Sequence, residues 1–218
     1  MAEFKTKKMS KDAVYEFFAR LHKENPSPKS DLEWTNAYTL LVAVTLSAQA
    51  TDAGVNKATK ELFKIADTPQ KMLDLGIDGL KEHIKTIGLY NNKAKNVIAM
   101  AEILVNEYDG EVPQTRDELV KLPGVGRKTA NVVLNIVFKQ PTMAVDTHIF
   151  RVSNRTGMAK GKNPDQVEQA LLKVVPDEFA LHAHHWLILH GRYTCKARTP
   201  DCGSCIVYDL CNFKEKTA

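Results

Sequence analysis

Cysteine is missing from the first 194 residues of this 218-residue chain. A disulfide framework, which in a secreted protein is usually spread along the sequence, is therefore not indicated. Long apolar runs are missing too. Ala37 to Ala50 is dotted with Thr, Ser and Gln, Trp186 to Leu189 is short, and neither approaches the roughly 18 uncharged residues of a membrane span. The opening MAEFKTKKMSKD is charged with no apolar stretch behind it, so no secretory signal is expected and the cytoplasm is the expected address. Neither sign of charge dominates: 30 basic against 26 acidic residues leave +4 and a pI near 8.8, which permits a polyanionic partner without requiring one. With 44% hydrophobic and 26% charged residues, wholesale disorder and collagen-like structure are excluded. The length suits one globular domain or two small interleaved ones.

Strand patterning is scarce as well. Only Pro141 to Val145 invites a strand; elsewhere apolar residues recur at helical spacing. Ser10 is expected to cap a helix with Val14, Phe17, Phe18 and Leu21 on one face, ending before Asn25 to Pro28. Asn36 to Leu46 is too apolar for a surface helix and should be buried, and Thr51 or Asp52 should cap a helix reaching Leu62 and Phe63. Further helices are expected near Thr68 to Leu75, Asp78 to Thr86, Lys93 to Tyr108, Thr115 to Lys121, Arg127 to Phe138, Thr147 to Arg155, Asn163 to Val174 and Ala180 to His190. Successive helices joined by short turns make an all-α protein. A faint echo relates KTIGLYNNKA (85–94) to KLPGVGRKTA (121–130), either as two similar helix-turn-helix units or by chance.

In LPGVGRKTA (122–130) an apolar helix stops at Pro123, two glycines permit positive φ in a tight hairpin, and a new helix opens near Arg127. Backbone N–H groups at such a helix start have no intrahelical partner and can hold a phosphate oxygen. That grip is on a nucleic-acid backbone and is blind to sequence. A plain helical hairpin is the alternative.

The cysteines that do occur are Cys195, Cys202, Cys205 and Cys211, a C-x6-C-x2-C-x5-C run that can wrap one compact centre. Four thiolates hold either tetrahedral zinc or a 4Fe-4S cube, and softness does not separate the two. The spacing departs from the paired C-x2-C knuckles of common zinc sites. Lys196, Arg198 and Lys214 nearby suit DNA phosphates or simply a solvated face.

LPGVGRKTANVVLN followed by AVDTHIFRVSNRTG resembles the helix-hairpin-helix plus Gly/Pro-Asp signature of DNA glycosylases. LSAQATD, IKTIGLYNNK and HHWLILHGRYTCKARTPDCGSC extend the resemblance over nearly the whole chain, to the endonuclease III family of bifunctional glycosylase/AP lyases. It implies base excision repair on duplex DNA carrying oxidised pyrimidines, with cleavage of the abasic site, by a monomer in two helical lobes. One lobe would be 30–140, containing the hairpin; the other would join 1–29 to 141–218 and carry the cluster. No composition shift reveals that division.

The resemblance also assigns residues. Lys128 falls on the catalytic lysine, and its chemistry is intelligible: at a helix start beside Arg127, partly desolvated by DNA, its neutral amine population would rise and the amine is a nucleophile. Asp146 falls on the catalytic carboxylate, although capping the next helix would explain it equally. Gly124, Val125, Gly126 and Arg127 become the phosphate-gripping turn. A stacked base hides its glycosidic bond, so the nucleotide must rotate out and its place be filled; Gln49 and Leu89 are the implied inserted residues. From its surroundings alone, Leu89 reads as a buried turn residue. Asp52 and His148 line the lesion pocket or serve as cap and structural residue. The cysteines become ligands of a 4Fe-4S cluster, which leaves His182, His184, His185 and His190 structural or DNA-facing.

Two rivals remain at this stage. One is a mismatch glycosylase of the same superfamily, whose members generally lack a lysine at the position of Lys128. The other is a non-catalytic hairpin module with structural zinc.

Overall fold

In the computed structural model, which describes residues 6–217, all regular structure is helical. The chain splits into two compact units, Ser30–Gln140 and a discontinuous one made of Met1–Lys29 with Pro141–Ala218.

Helix α1 (Lys11–Glu24) belongs to the discontinuous unit, and α2 (Ala37–Leu46), α3 (Asp52–Ile65), α4 (Pro69–Ile84), α5 (Tyr90–Glu107), α6 (Arg116–Leu119) and α7 (Arg127–Ile136) follow in the 30–140 unit. Helix α2 is its axis. Asn36 and Thr39 close a capping box at its start, and every residue from Tyr38 to Leu46 is buried. A helix apolar on all sides belongs inside, and α3, α5 and α7 pack on it. Full burial of a leucine such as Leu41 is worth about 1.5–3 kcal/mol. The two helices expected at 68–75 and 78–86 are both present within α4, which is interrupted at Gly76, whose φ of 71° and ψ of 169° are not helical. Helix α5 starts at Tyr90, before the expected Lys93, because the Leu89 carbonyl already accepts from the N–H groups of Asn92 and Lys93.

In the discontinuous unit, α1 is joined by α8 (Thr147–Thr156), α9 (Pro164–Val174), α10 (Asp177–Leu189) and a π-helical turn, His190–Thr194. Ser10 caps α1, whose buried residues are Val14, Phe17, Phe18 and Leu21. That stripe meets α10: Phe18 lies 6.4 Å from the Trp186 ring, and Trp186 Nε1 donates to the Asn25 carbonyl at 2.8 Å. The strand suggested at 141–145 does not form. Its residues have no neighbouring ladder; Val145 N instead donates to Met143 O at 3.2 Å in a tight turn, and Met143, Ala144 and Val145 are buried.

Candidate functional site

Three turns of the 30–140 unit carry the candidate DNA-facing residues. In the first, Leu122 N donates to Leu119 O and Val125 N to Leu122 O, tightening the exit from α6. Gly124 sits at φ +79°, and a Cβ there would lie 3.0–3.1 Å from the Asn96 and Thr45 side chains, so both backbone hand and space disfavour a side chain. Gly126 is the N-cap of α7 and supplies no side-chain cap to the helix start, which carries the positive end of the helix dipole. Val125 departs from the rest of this turn: its side chain is buried and its N–H is bonded inside the turn, so it anchors the hairpin rather than facing solvent. Lys128, in the first turn of α7, is exposed.

The other two turns share an unusual backbone. Gln49 (φ 57°) and Leu89 (φ 60°) are left-handed without being glycine, a conformation that costs about 1–2 kcal/mol. Both are exposed, Leu89 to 62%. The burial expected from its surroundings is thus overturned: the left-handed backbone turns this leucine outward. Strain together with apolar exposure is a combination retained at functional positions. At the start of α3 the cap is Thr51, whose Oγ1 accepts from Gly54 N at 3.2 Å.

The discontinuous unit holds the remaining candidates. Asp146 caps α8, its Oδ1 accepting from Ile149 N at 2.8 Å, so the capping role is realised and fixes the carboxylate at a helix start. His148 packs against Gly191, where an added Cβ would meet the His148 Cβ at 2.8 Å.

Cys195, Cys202, Cys205 and Cys211 form no disulfide, and all four line one pocket. Among the described residues no three His, Cys, Asp or Glu side chains are grouped to hold a single metal ion. Two N–H donors already point at sulfurs, and a histidine ring nitrogen lies near a third. Arg155 Nη1 lies 3.7 Å from Cys195 Sγ, Phe213 N 3.5 Å from Cys211 Sγ, and His190 Nε2 3.9 Å from Cys205 Sγ. Such contacts stabilise thiolates bound to iron. Burial, helped by the neighbouring cysteines, pushes the Cys205 thiol up to about 11 and raises Cys211. Burial also lowers His190 to about 4, leaving a neutral ring.

Two residues that sequence reasoning missed organise this loop. Arg151 donates to the carbonyls of Cys195 (2.9 Å) and Gly191 (2.7 Å); Arg155, one turn on, donates to those of Lys196 (2.6 Å) and Ala197 (2.7 Å). Their i, i+4 spacing on α8 was a visible signal, though nothing local showed what they would hold. Lys196, Arg198 and Lys214 are exposed.

Residues 42–177 match the model of the HhH-GPD superfamily base excision DNA repair proteins, and residues 195–211 that of the iron-sulfur binding domain of endonuclease III. The chain is 60% identical to endonuclease III of Haemophilus influenzae and to that of Escherichia coli, in each case over 95% of this chain and 99% of the relative. A solved endonuclease III trapped as a covalent intermediate with DNA superposes with a TM-score of 0.86 at 45% identity, covering 93% of this chain and 96% of the other. A thermostable thymine-DNA glycosylase, 24% identical with a TM-score of 0.84 over 94% and 98% of the two chains, shares the fold.

Proposed function

The chain belongs to the HhH-GPD superfamily of base excision DNA repair proteins, in its endonuclease III family, and on that premise we propose how its residues carry out the work. It is a DNA glycosylase and AP lyase with a 4Fe-4S cluster. The observation that carries the residue-level reading is an exposed lysine, Lys128, in the first turn of a helix that no side chain caps.

The turn 124–127 grips a phosphate through backbone N–H groups, with Val125 as its core anchor and Arg127 adding charge. Gln49 and Leu89 enter the duplex, Gln49 facing the orphaned partner base and Leu89 wedging the stack, while the damaged nucleotide swings out. The neutral Lys128 Nζ attacks C1′ of the sugar; the C1′–N bond breaks and the base leaves with its electron pair and takes up a proton. Asp146 stabilises the positive charge developing on the sugar and relays the proton lost from Nζ. The sugar ring then opens, the C1′–O4′ bond breaking and O4′ taking up a proton, to leave a Schiff base that acidifies the C2′ proton; removal of that proton expels the 3′ phosphate, and water hydrolyses the imine and frees the lysine.

Cys195, Cys202, Cys205 and Cys211 hold the cluster, which when bound cross-links the 195–211 loop through four thiolates. Arg151 and Arg155 fix the backbone of that loop, and its exposed Lys196 and Arg198 meet phosphates. The substrate class is duplex DNA with oxidised, ring-saturated or fragmented pyrimidines, and the protein acts as a monomer in the cytoplasm. None of its helices is long and apolar enough to cross a membrane, among the described residues.

Borohydride added to the protein on a thymine glycol duplex should yield a covalent adduct with wild type and none with Lys128→Gln, whose lyase rate should fall by about 10⁴-fold or more. An adduct with both proteins would place the nucleophile elsewhere.

A further inference from the structure

Lys93 has no part in the chemistry above, yet it is 6% exposed, unusual for an ammonium. Its Nζ donates to the carbonyl of Leu46 at 2.9 Å. Leu46 is the last residue of α2, so that carbonyl is one of those a helix end leaves without an intrahelical partner, at the negative end of the helix dipole. Burial lowers the lysine's pKa, and no carboxylate pairs with it, so the contact is costly as a means of holding the fold.

What it joins gives the contact a purpose. Leu46 leads directly into the turn that carries Gln49, and Lys93 stands in the first turn of α5, directly after Leu89 and bonded to the Leu89 carbonyl through its own N–H. One turn along α5, Asn96 packs against Gly124 of the hairpin, and Thr45 of α2 packs against the same glycine. The helix ends that carry the three turns assigned to DNA are therefore linked to one another through Lys93, Asn96 and Thr45.

We propose that Lys93 is a positioning residue for nucleotide extrusion: by tying the end of α2 to the start of α5 it fixes the Gln49 and Leu89 turns at one spacing, so that both enter the duplex together. This rests on the assignment of Gln49 and Leu89 as inserted residues. Lys93 touches no reacting atom, so its loss should spare steps that need no base extruded from a stack.

The test compares wild type with Lys93→Met, similar in length but unable to donate, and Lys93→Gln, which keeps a donor. Three signals are read: single-turnover base release from a thymine glycol duplex, fluorescence of 2-aminopurine beside the lesion as it unstacks, and borohydride trapping on a single-stranded abasic oligonucleotide. For Lys93→Met, duplex release should fall by about tenfold to a hundredfold with a weaker fluorescence rise, while single-strand trapping is unchanged; Lys93→Gln should recover part of the duplex rate. Unchanged duplex release, or equal loss on both substrates, overturns the proposal. If Lys93→Met does not fold, the same split read on Lys93→Gln decides. A wild type that binds the lesion duplex with no fluorescence rise would instead remove the insertion assignment on which the proposal stands.

Discussion

The two units are held together by different means. In the 30–140 unit, a helix buried on every side anchors a core of aliphatic residues, and the functional turns are short links between helices packed on it. The discontinuous unit has an aromatic cluster around Phe17, Phe18, Phe179 and Trp186, but its last stretch, 195–217, has no helix or strand. Arginine donors, the Arg20–Asp209 ion pair and four thiols hold that stretch, with Val207 reaching the core. Burial of apolar surface withstands chemical change around it, whereas a thiolate-held loop lasts only as long as its cofactor. Loss of iron should therefore act on one unit and leave the other folded.

The chain's two tryptophans report on the units separately, Trp34 in one and Trp186 in the other. Single-tryptophan variants followed in urea turn the contrast into measurements. The largest effect is expected from Cys202→Ala: about 4–5 kcal/mol or more lost at Trp186 and under about 0.5 kcal/mol at Trp34. Equal loss at both tryptophans would mean that the cofactor stabilises the two units alike. Next, Leu41→Ala empties a fully buried position and should cost about 2–5 kcal/mol, seen at Trp34 first. Gly124→Ala meets both a left-handed backbone and close contacts, and should cost about 1–3 kcal/mol together with weaker DNA binding at low salt.

Smaller effects separate stability from function within the 30–140 unit. Leu89→Gly relieves the left-handed strain and should stabilise by about 1 kcal/mol, while slowing base release from duplex DNA. A loss of stability instead would show that the exposed leucine packs against something in the free protein. For Lys93 the sign follows from linkage. Its folded pKa lies below the unfolded one, so between the two values the unfolded chain binds more protons and stability rises with pH. Urea midpoints should climb as pH approaches lysine's usual value in wild type and stay flatter in Lys93→Met.

Much of this arrangement was legible in the sequence, and the exceptions have physical causes. The Ser10 cap and the stripe of Val14, Phe17, Phe18 and Leu21 appear as read, because helical period and capping are local signals. The 141–145 segment misled, since β-branched and apolar residues signal burial as readily as pairing, and pairing needs a partner strand that local sequence cannot supply. Leu89 misled for the opposite reason: hydrophobicity implies burial unless the backbone turns the side chain out, and a positive φ at leucine has no sequence marker. The spacing of the four cysteines suggested a single centre, and all four line one pocket. The arginines on α8 and the buried Lys93 act through carbonyls, which every residue possesses, so their partners were invisible until the chain was folded.

The discontinuity of one unit also has a consequence in time. Helix α1 leaves the ribosome early with Val14, Phe17, Phe18 and Leu21 on one face, but the helix that covers them, α10, follows only after the whole 30–140 unit. At a synthesis rate of about 5–20 residues per second, that face waits roughly ten to thirty seconds in solvent. Before α10 is made, the 30–140 unit has its full sequence and can fold. A nascent chain stalled in that interval would carry folded hairpin and wedge turns, an uncovered aromatic stripe and no iron ligands, which makes α1 the natural target for chaperones during biosynthesis.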